Sequence, residues 1–142
     1  MQAGLVRLGI EALDRDHERL EKLVDELAAV SEGHGGHAQG VSLFEALVEE
    51  SRAHFRREEA EMERTSYPLT GVHREEHGKL LDALQAIGAE YKADAVPLDG
   101  ALLAALSEWV NHHIRTSDAA FADYVQASRP SAAARAVGEN GQ

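Results

Sequence analysis

Five histidines and two carboxylates in this chain fall at spacings that suit a metal site. In the stretch HFRREEAEMERTSYPLTGVHREEH, His54 and Glu58 stand four residues apart, and after a Tyr-Pro break so do His73 and His77. Four residues of an α-helix turn about 400°, so each pair projects from one face, about one turn apart. Two helices joined by that short break would carry the two faces as neighbours. Three neutral nitrogen donors with one anionic oxygen donor form a ligand mix for a borderline transition metal. Further donors are His17, in LDRDH, and His113 and Asp118, in HHIRTSD.

The elements that must position these donors read as helices. From Glu11 to about Ser31, Leu13, His17, Leu20, Leu23, Val24 and Leu27 recur at steps of three and four. Residues 31–40 (SEGHGGHAQG) hold four glycines and read as a loop, and Ser42 with Glu45 has capping-box spacing for a second helix. Its inward face is Phe44, Leu47, Ser51, His54, Glu58 and Met62, so the donor pair takes core positions. Ser66-Tyr67-Pro68 ends that helix, and Thr70 is the expected cap of a third, which runs to about Lys92 through His73, His77, Leu80, Leu81, Leu84, Ile87 and Tyr91. Pro97 marks the next connection. Asp99 is the cap of a fourth helix, which carries Leu102, Leu103, Leu106, Trp109, Val110, His113, Ile114, Phe121, Tyr124 and Val125.

The fold expected is all-α: an up-down-up-down four-helix bundle, in which facing side chains can build a metal site in the core. The bundle and an N-terminal arm over Met1–Ile10 take residues 1–127, and residues 128–142 form a flexible C-terminal tail. One donor fits less simply. His113 and Asp118 are five residues apart and diverge by about 140° on an ideal helix. They reach one site if they straddle the inward face, or if a π-type bulge loosens the helix there.

Composition narrows the function classes. The 142 residues suit one domain, and the sparse aromatics with abundant Leu and Ala favour helices. A formal charge of −11 argues against binding nucleic acid or an anionic membrane surface. With no cysteine, disulfides, thiolate ligands and iron–sulfur clusters are excluded. No apolar run is long enough to span a bilayer and the N-terminus lacks a signal-peptide pattern, so a soluble, cytoplasmic protein is expected.

Five histidines and two carboxylates outnumber what one octahedral ion can gather at a point. Two ions sharing both carboxylates is the better count. An ion with three histidines, two carboxylate oxygens and a bridging oxo or hydroxo group is six-coordinate; its neighbour, with two histidines, has one position open. Iron or manganese suits such a set, iron being favoured by the imidazole count.

With these motifs in place, LDRDH, HFRREE, HREEH and HHIRTSD, the chain resembles the hemerythrin family, and in particular its single-domain bacterial members, over residues 8 to 125. The resemblance implies two non-haem iron ions, oxo- or hydroxo-bridged, with His73, His77 and His113 on the saturated iron. It puts His17 and His54 on the iron with the open position, and Glu58 and Asp118 in the bridges. It implies reversible binding of dioxygen, for storage, delivery or sensing, with Phe55, Trp109, Val110 and Ile114 in the wall of the oxygen pocket. The chain is expected to act as a monomer, with a protein partner only if it is a sensor. Bacterial members often carry a Trp near the start of the arm, and Met1–Ile10 has none; the tail beyond Val125 has no counterpart.

Other readings compete. A lone histidine on an apolar stripe, such as His17, is ordinarily a core residue; it is the joint pattern on four helices that argues for ligation. His112 points about 100° from His113 and reads as a surface residue. His34 and His37 read as solvated residues of a glycine-rich loop. His73-Arg-Glu-Glu-His77 fits an inverted zinc-peptidase motif with Glu76 as base, but leaves the other donors unused. The Glu-x-x-His pairs of ferritin-like diiron proteins are absent, since positions 70, 74 and 14 are Thr, Arg and Asp. The acidic runs read as mostly solvated helix faces, with Glu58 alone facing a partner. An iron enzyme reducing nitric oxide or peroxide, and an iron buffer, remain as alternative functions.

Overall fold

The computed structural model describes residues 10–128. Helix α1 spans Glu11–Ser31, α2 His37–Arg64, α3 Thr70–Lys92 and α4 Gly100–His113; α4 continues through a π-helical turn, Ile114–Asp118, into α5, Ala119–Ser128. The last three segments form one continuous rod, so the architecture is the expected four-helix bundle, and no strand occurs among the described residues. No helix among them is long and apolar enough to cross a membrane. The arm over Met1–Ile10, apart from Ile10, and the tail beyond Ser128 lie outside the described residues.

The three connections are made by one device. Gly33, Ser66 and Asp94 take left-handed backbone angles (φ 95°, 57° and 59°) just past α1, α2 and α3. The next amide then donates back to the carbonyl five residues earlier: His34 to Ala29 at 2.9 Å, Tyr67 to Met62 at 2.9 Å and Ala95 to Glu90 at 2.8 Å. That closure satisfies otherwise orphaned carbonyls and reverses the chain. At the other ends, Asp99 caps α4 as expected, its carboxylate accepting from the Leu102 amide at 2.9 Å. Thr70 is instead the first residue of α3, and its hydroxyl donates to the Tyr67 carbonyl at 2.7 Å.

Helix α2 begins at His37, five residues before the expected Ser42. Packing on α3 overrides the glycine signal. A Cβ at Gly40 would overlap the Tyr91 hydroxyl, so this glycine permits close helix approach rather than marking a loop. His37 is likewise not a loop residue: its ring centroid lies 4.7 Å from that of Tyr91, and its Nε2 is 3.2 Å from the Lys92 carbonyl.

Apolar side chains fill both ends of the bundle. Leu27, Phe44, Leu47, Leu84, Leu103 and Leu106 form the core of one cluster; Leu13, Met62, Tyr67, Phe121 and Val125 form another. Burying each such side chain contributes roughly 1.5–3 kcal/mol, which holds the helices in register around a polar interior. The polar histidines and carboxylates occupy the layer where the apolar stripes of the helices are interrupted.

Candidate metal centre

Every helix delivers donors into that layer: His17 from α1, His54 and Glu58 from α2, His73 and His77 from α3, His113 and Asp118 from the fourth rod. All seven are buried, Glu58 and Asp118 completely. Of the two routes open to Asp118, the structure takes the π turn. Its widened i-to-i+5 winding puts residues five apart on one face, and His113 Nε2 stands 3.0 Å from Asp118 Oδ1.

The donors fall into two overlapping sets. Glu58, His73, His77, His113 and Asp118 offer ligand atoms that all lie within 4.8 Å of one another, and so do those of His17, His54, Glu58 and Asp118. Both carboxylates belong to both sets. His77 Nε2 is 2.9 Å from Glu58 Oε1, His73 Nε2 2.8 Å from Asp118 Oδ1, His17 Nε2 3.4 Å from Asp118 Oδ2, and His54 Nε2 3.6 Å from Glu58 Oε2.

Hydrogen bonds leave this layer unfinished. Both Glu58 oxygens, Asp118 Oδ2, both His17 nitrogens and the Nε2 atoms of His77 and His113 are buried without a hydrogen-bond partner. Each such orphan costs about 1–3 kcal/mol in a protein interior. Lone pairs converging from different helices on shared points are what cations satisfy, and an imidazole and carboxylate donor set suits iron.

Three histidines are oriented from outside. His54 Nδ1–H donates to Asp16 at 3.0 Å, and His77 Nδ1–H to Glu59 at 2.6 Å; His113 Nδ1 is 3.3 Å from Glu76. Fixing the proton on Nδ1 leaves Nε2 bare and aimed inward. The carboxylates are themselves held: Asp16 by Arg57 through bonds of 2.9 and 2.7 Å and by Arg19, Glu59 by Arg74 at 3.2 Å, Glu76 by the Ser117 hydroxyl at 2.5 Å. Burial raises the Asp16 pKa, but the bonds from His54 and Arg57 together outweigh it and hold the carboxyl below its usual range. These partners correct the reading of the acidic runs as solvated faces. Glu59 and Glu76 are half-buried against histidines, and Asp16, to which helical spacing assigns no role, is buried against His54. The available signal is an acid adjacent to His17, Glu58 and His77 in the donor motifs.

Charge in the metal-free layer is redistributed by proximity. Burial lowers the His73 pKa, and Asp118 and Glu58 outweigh it, pushing the group up from 6.5 to about 9. His113 moves up for the same reason, against burial and with Asp118 as its main partner. Asp118 is held well below 3.8: burial opposes this, and contacts with His113, His17 and His73 prevail.

A cavity of about 70 Å³ adjoins the layer. Its wall includes Phe55, Trp109, Val110 and Ile114, and it touches His17, His54, His113 and Asp118. Phe55 stacks on His77 with ring centroids 3.9 Å apart. Ser51, Ser107, Asn111 and Glu21 add polar members to a mainly apolar wall. As expected, His112 and His34 are exposed and stand apart from the site.

A family model described as the hemerythrin HHE cation binding domain matches residues 8–125. Bacteriohemerythrin of Pseudomonas aeruginosa is 28% identical over 120 residues, 84% of this chain and 77% of that one. Bacteriohemerythrin of Stenotrophomonas maltophilia is 27% identical over 122 residues, 86% and 78% of the two chains. A crystal structure of wild-type hemerythrin aligns with a TM-score of 0.72 at 21% identity, covering 80% of this chain and 86% of that one. A single-residue hemerythrin variant aligns at 0.76 and 20% identity, covering 87% and 97%. Both share the fold of this chain. The family binds dioxygen and its domain implies a non-haem iron site, for which the buried histidine and carboxylate cluster is suited. With the family model running from residue 8 to residue 125 across all four helices, this chain belongs to the hemerythrin family.

Proposed function

We propose that His73, His77 and His113 hold one iron, that His17 and His54 hold a second, and that Glu58 and Asp118 bridge them. The pair binds dioxygen reversibly beside His17 and His54, in storage, delivery or sensing. The observation that carries this reading is the division of seven buried donors into a five-donor and a four-donor set that share both carboxylates. The four-donor side has room for one more ligand, and the cavity reaches His17 and His54.

Two ferrous ions held by these residues would supply the electrons for reversible binding of dioxygen. The chain's own residues do the rest. Asp16, Glu59 and Glu76 hold the imidazole rings so that Nε2 faces inward. Phe55, Val110 and Ile114 keep bulk water from the open position, which favours release of the ligand intact. The buried wall residue Ser51 favours a second reading, reduction of nitric oxide or peroxide, because a polar group can deliver a proton to a bound ligand.

One experiment separates these. The protein is reduced anaerobically with ferrous iron supplied, iron is counted per chain, and oxygen is added in a visible spectrometer. Two irons and a charge-transfer band that vanishes on deoxygenation are expected. Immediate conversion to the ferric form with no oxygenated species favours the redox enzyme. A single metal, or ready loss of iron to a chelator, rejects the diiron carrier.

A further inference from the structure

Apart from Asp118, the cavity wall holds one carboxylate, Glu21, and neither lysine nor arginine. Glu21 lies on α1 one turn beyond His17 and is half-exposed. It forms no ion pair with a cation among the described residues; the charged groups nearest in effect are Asp25 and Glu18. Burial first, then these two acids, raise its affinity for a proton. From α4, Ser107 and Asn111 line the same cavity; they are four residues apart, share one edge of the helix, are half-exposed and carry no charge. Deeper in, Leu20, Leu47, Leu84, Leu106 and Ile114 are all buried. Among the half-exposed residues of the wall, Glu21 is thus the one that carries a charge, and the wall behind it is apolar.

We propose that Glu21 is a charge filter at the mouth of this cavity, which admits neutral diatomic molecules and slows small anions. The identity of the neutral ligand as dioxygen rests on the function proposed above; the filter itself does not. A fixed charge beside low-dielectric walls acts strongly on an entering ion and leaves an uncharged molecule unaffected. The effect on ions weakens as salt screens it.

The ferric, iron-loaded protein is mixed with thiocyanate, which is anionic across the accessible pH range, in a stopped-flow spectrometer at low ionic strength. Glu21→Gln is expected to raise the thiocyanate association rate about tenfold, and Glu21→Lys further. The association rate of oxygen with the ferrous form should stay within about twofold in both variants. Added salt should bring the parent rate toward that of Glu21→Gln. In the metal-free protein, iodide quenching of Trp109, the one tryptophan and a member of the same wall, should rise in Glu21→Gln while oxygen quenching does not. Equal thiocyanate rates in parent and variant overturn the filter, as does a matching rise for oxygen, which would make Glu21 a steric plug. If thiocyanate binds but no oxygen complex forms, the oxygen-binding reading falls; the thiocyanate and quenching arms then decide the filter alone.

Discussion

Asp16 Oδ2 stands 3.0 Å from His54 Nδ1, and the same carboxylate is gripped in bidentate fashion by Arg57. A buried acid on α1 thus orients a donor on α2, and an arginine on α2 fixes the acid. The pair closes the α1–α2 seam and sets the ring that faces the proposed open position.

Asp16→Asn should therefore weaken iron at the His17/His54 half while sparing the other. An amide still fits the space but has one acceptor oxygen where His54 Nδ1–H and Arg57 use two, and loss of such a partner typically costs about 10- to 100-fold in metal affinity. Chelator competition followed by iron count reads this out. Release of both irons together at unchanged affinity would show that Asp16 does not act through His54. Arg57→Ala, which frees the acid without removing it, should have the smaller effect.

Removing a proposed ligand tests the assignment more directly. His54→Ala or His17→Ala should leave a folded bundle, because both apolar clusters are intact, yet form no oxygen complex. Far-UV circular dichroism checks the first statement and visible spectroscopy the second. Normal oxygen binding by either variant would reject its role.

The metal-free protein should lose stability on the alkaline side before neutrality is far behind. His73 titrates near 9 in the fold against 6.5 ordinarily, so its contribution is full below about 6.5 and vanishes as pH rises through about 9. Asp118, held well below 3.8, contributes above that value and loses its contribution as pH falls further. Thermal unfolding midpoints should thus be highest between about pH 4 and 6.5. Bound metal requires neutral imidazole, so loading should remove the alkaline decline. A metal-free midpoint that rises from pH 6.5 to 9 contradicts the assignment.

Glycines on α2 and α3 offer a graded test of packing. Gly40→Ala would drive a methyl into Tyr91 and should cost about 1–3 kcal/mol. Gly78→Ala, in α3 with nothing within 4 Å of the added carbon, should stabilise by about 0.5–1 kcal/mol. Denaturant midpoints measure both. Similar effects at the two sites would mean that helix propensity alone governs, and that the α2–α3 approach at Tyr91 is loose.

What was legible in the sequence was whatever lies within one helix. The spacings of His54 with Glu58 and of His73 with His77, and the inward stripe from Phe44 to Met62, follow from helical periodicity alone. The residues missed depend on contacts between helices. Asp16 meets His54 across 38 positions and Glu59 meets His77 across 18, and an acid adjacent to a donor does not say which distant histidine it will meet. The early start of α2 is hidden for the same reason: Gly40 is a loop signal until Tyr91 is packed against it. His113 and Asp118 lie between these cases, since five-residue spacing leaves two geometries open and only the folded rod selects one.

That selection has a consequence for chain length. A π turn is an α-helix with one residue inserted, so the rod keeps the same inward direction on both sides, with His113 and Phe121 both buried. Deleting exposed Thr116 should convert the turn to ordinary α-helix and bring Asp118 to four residues from His113, the spacing that His54 and Glu58 already use. The deletion removes a hydroxyl bonded to the His112 carbonyl at 2.7 Å, a carbonyl that an α-helical amide can satisfy instead. Phe121 and Val125 should keep their places in the core. Iron uptake is therefore expected to persist, with a thermal midpoint equal to the parent's or higher. Loss of metal binding in a variant that remains helical would mean that the widened turn itself, and not only its register, is needed to aim Asp118.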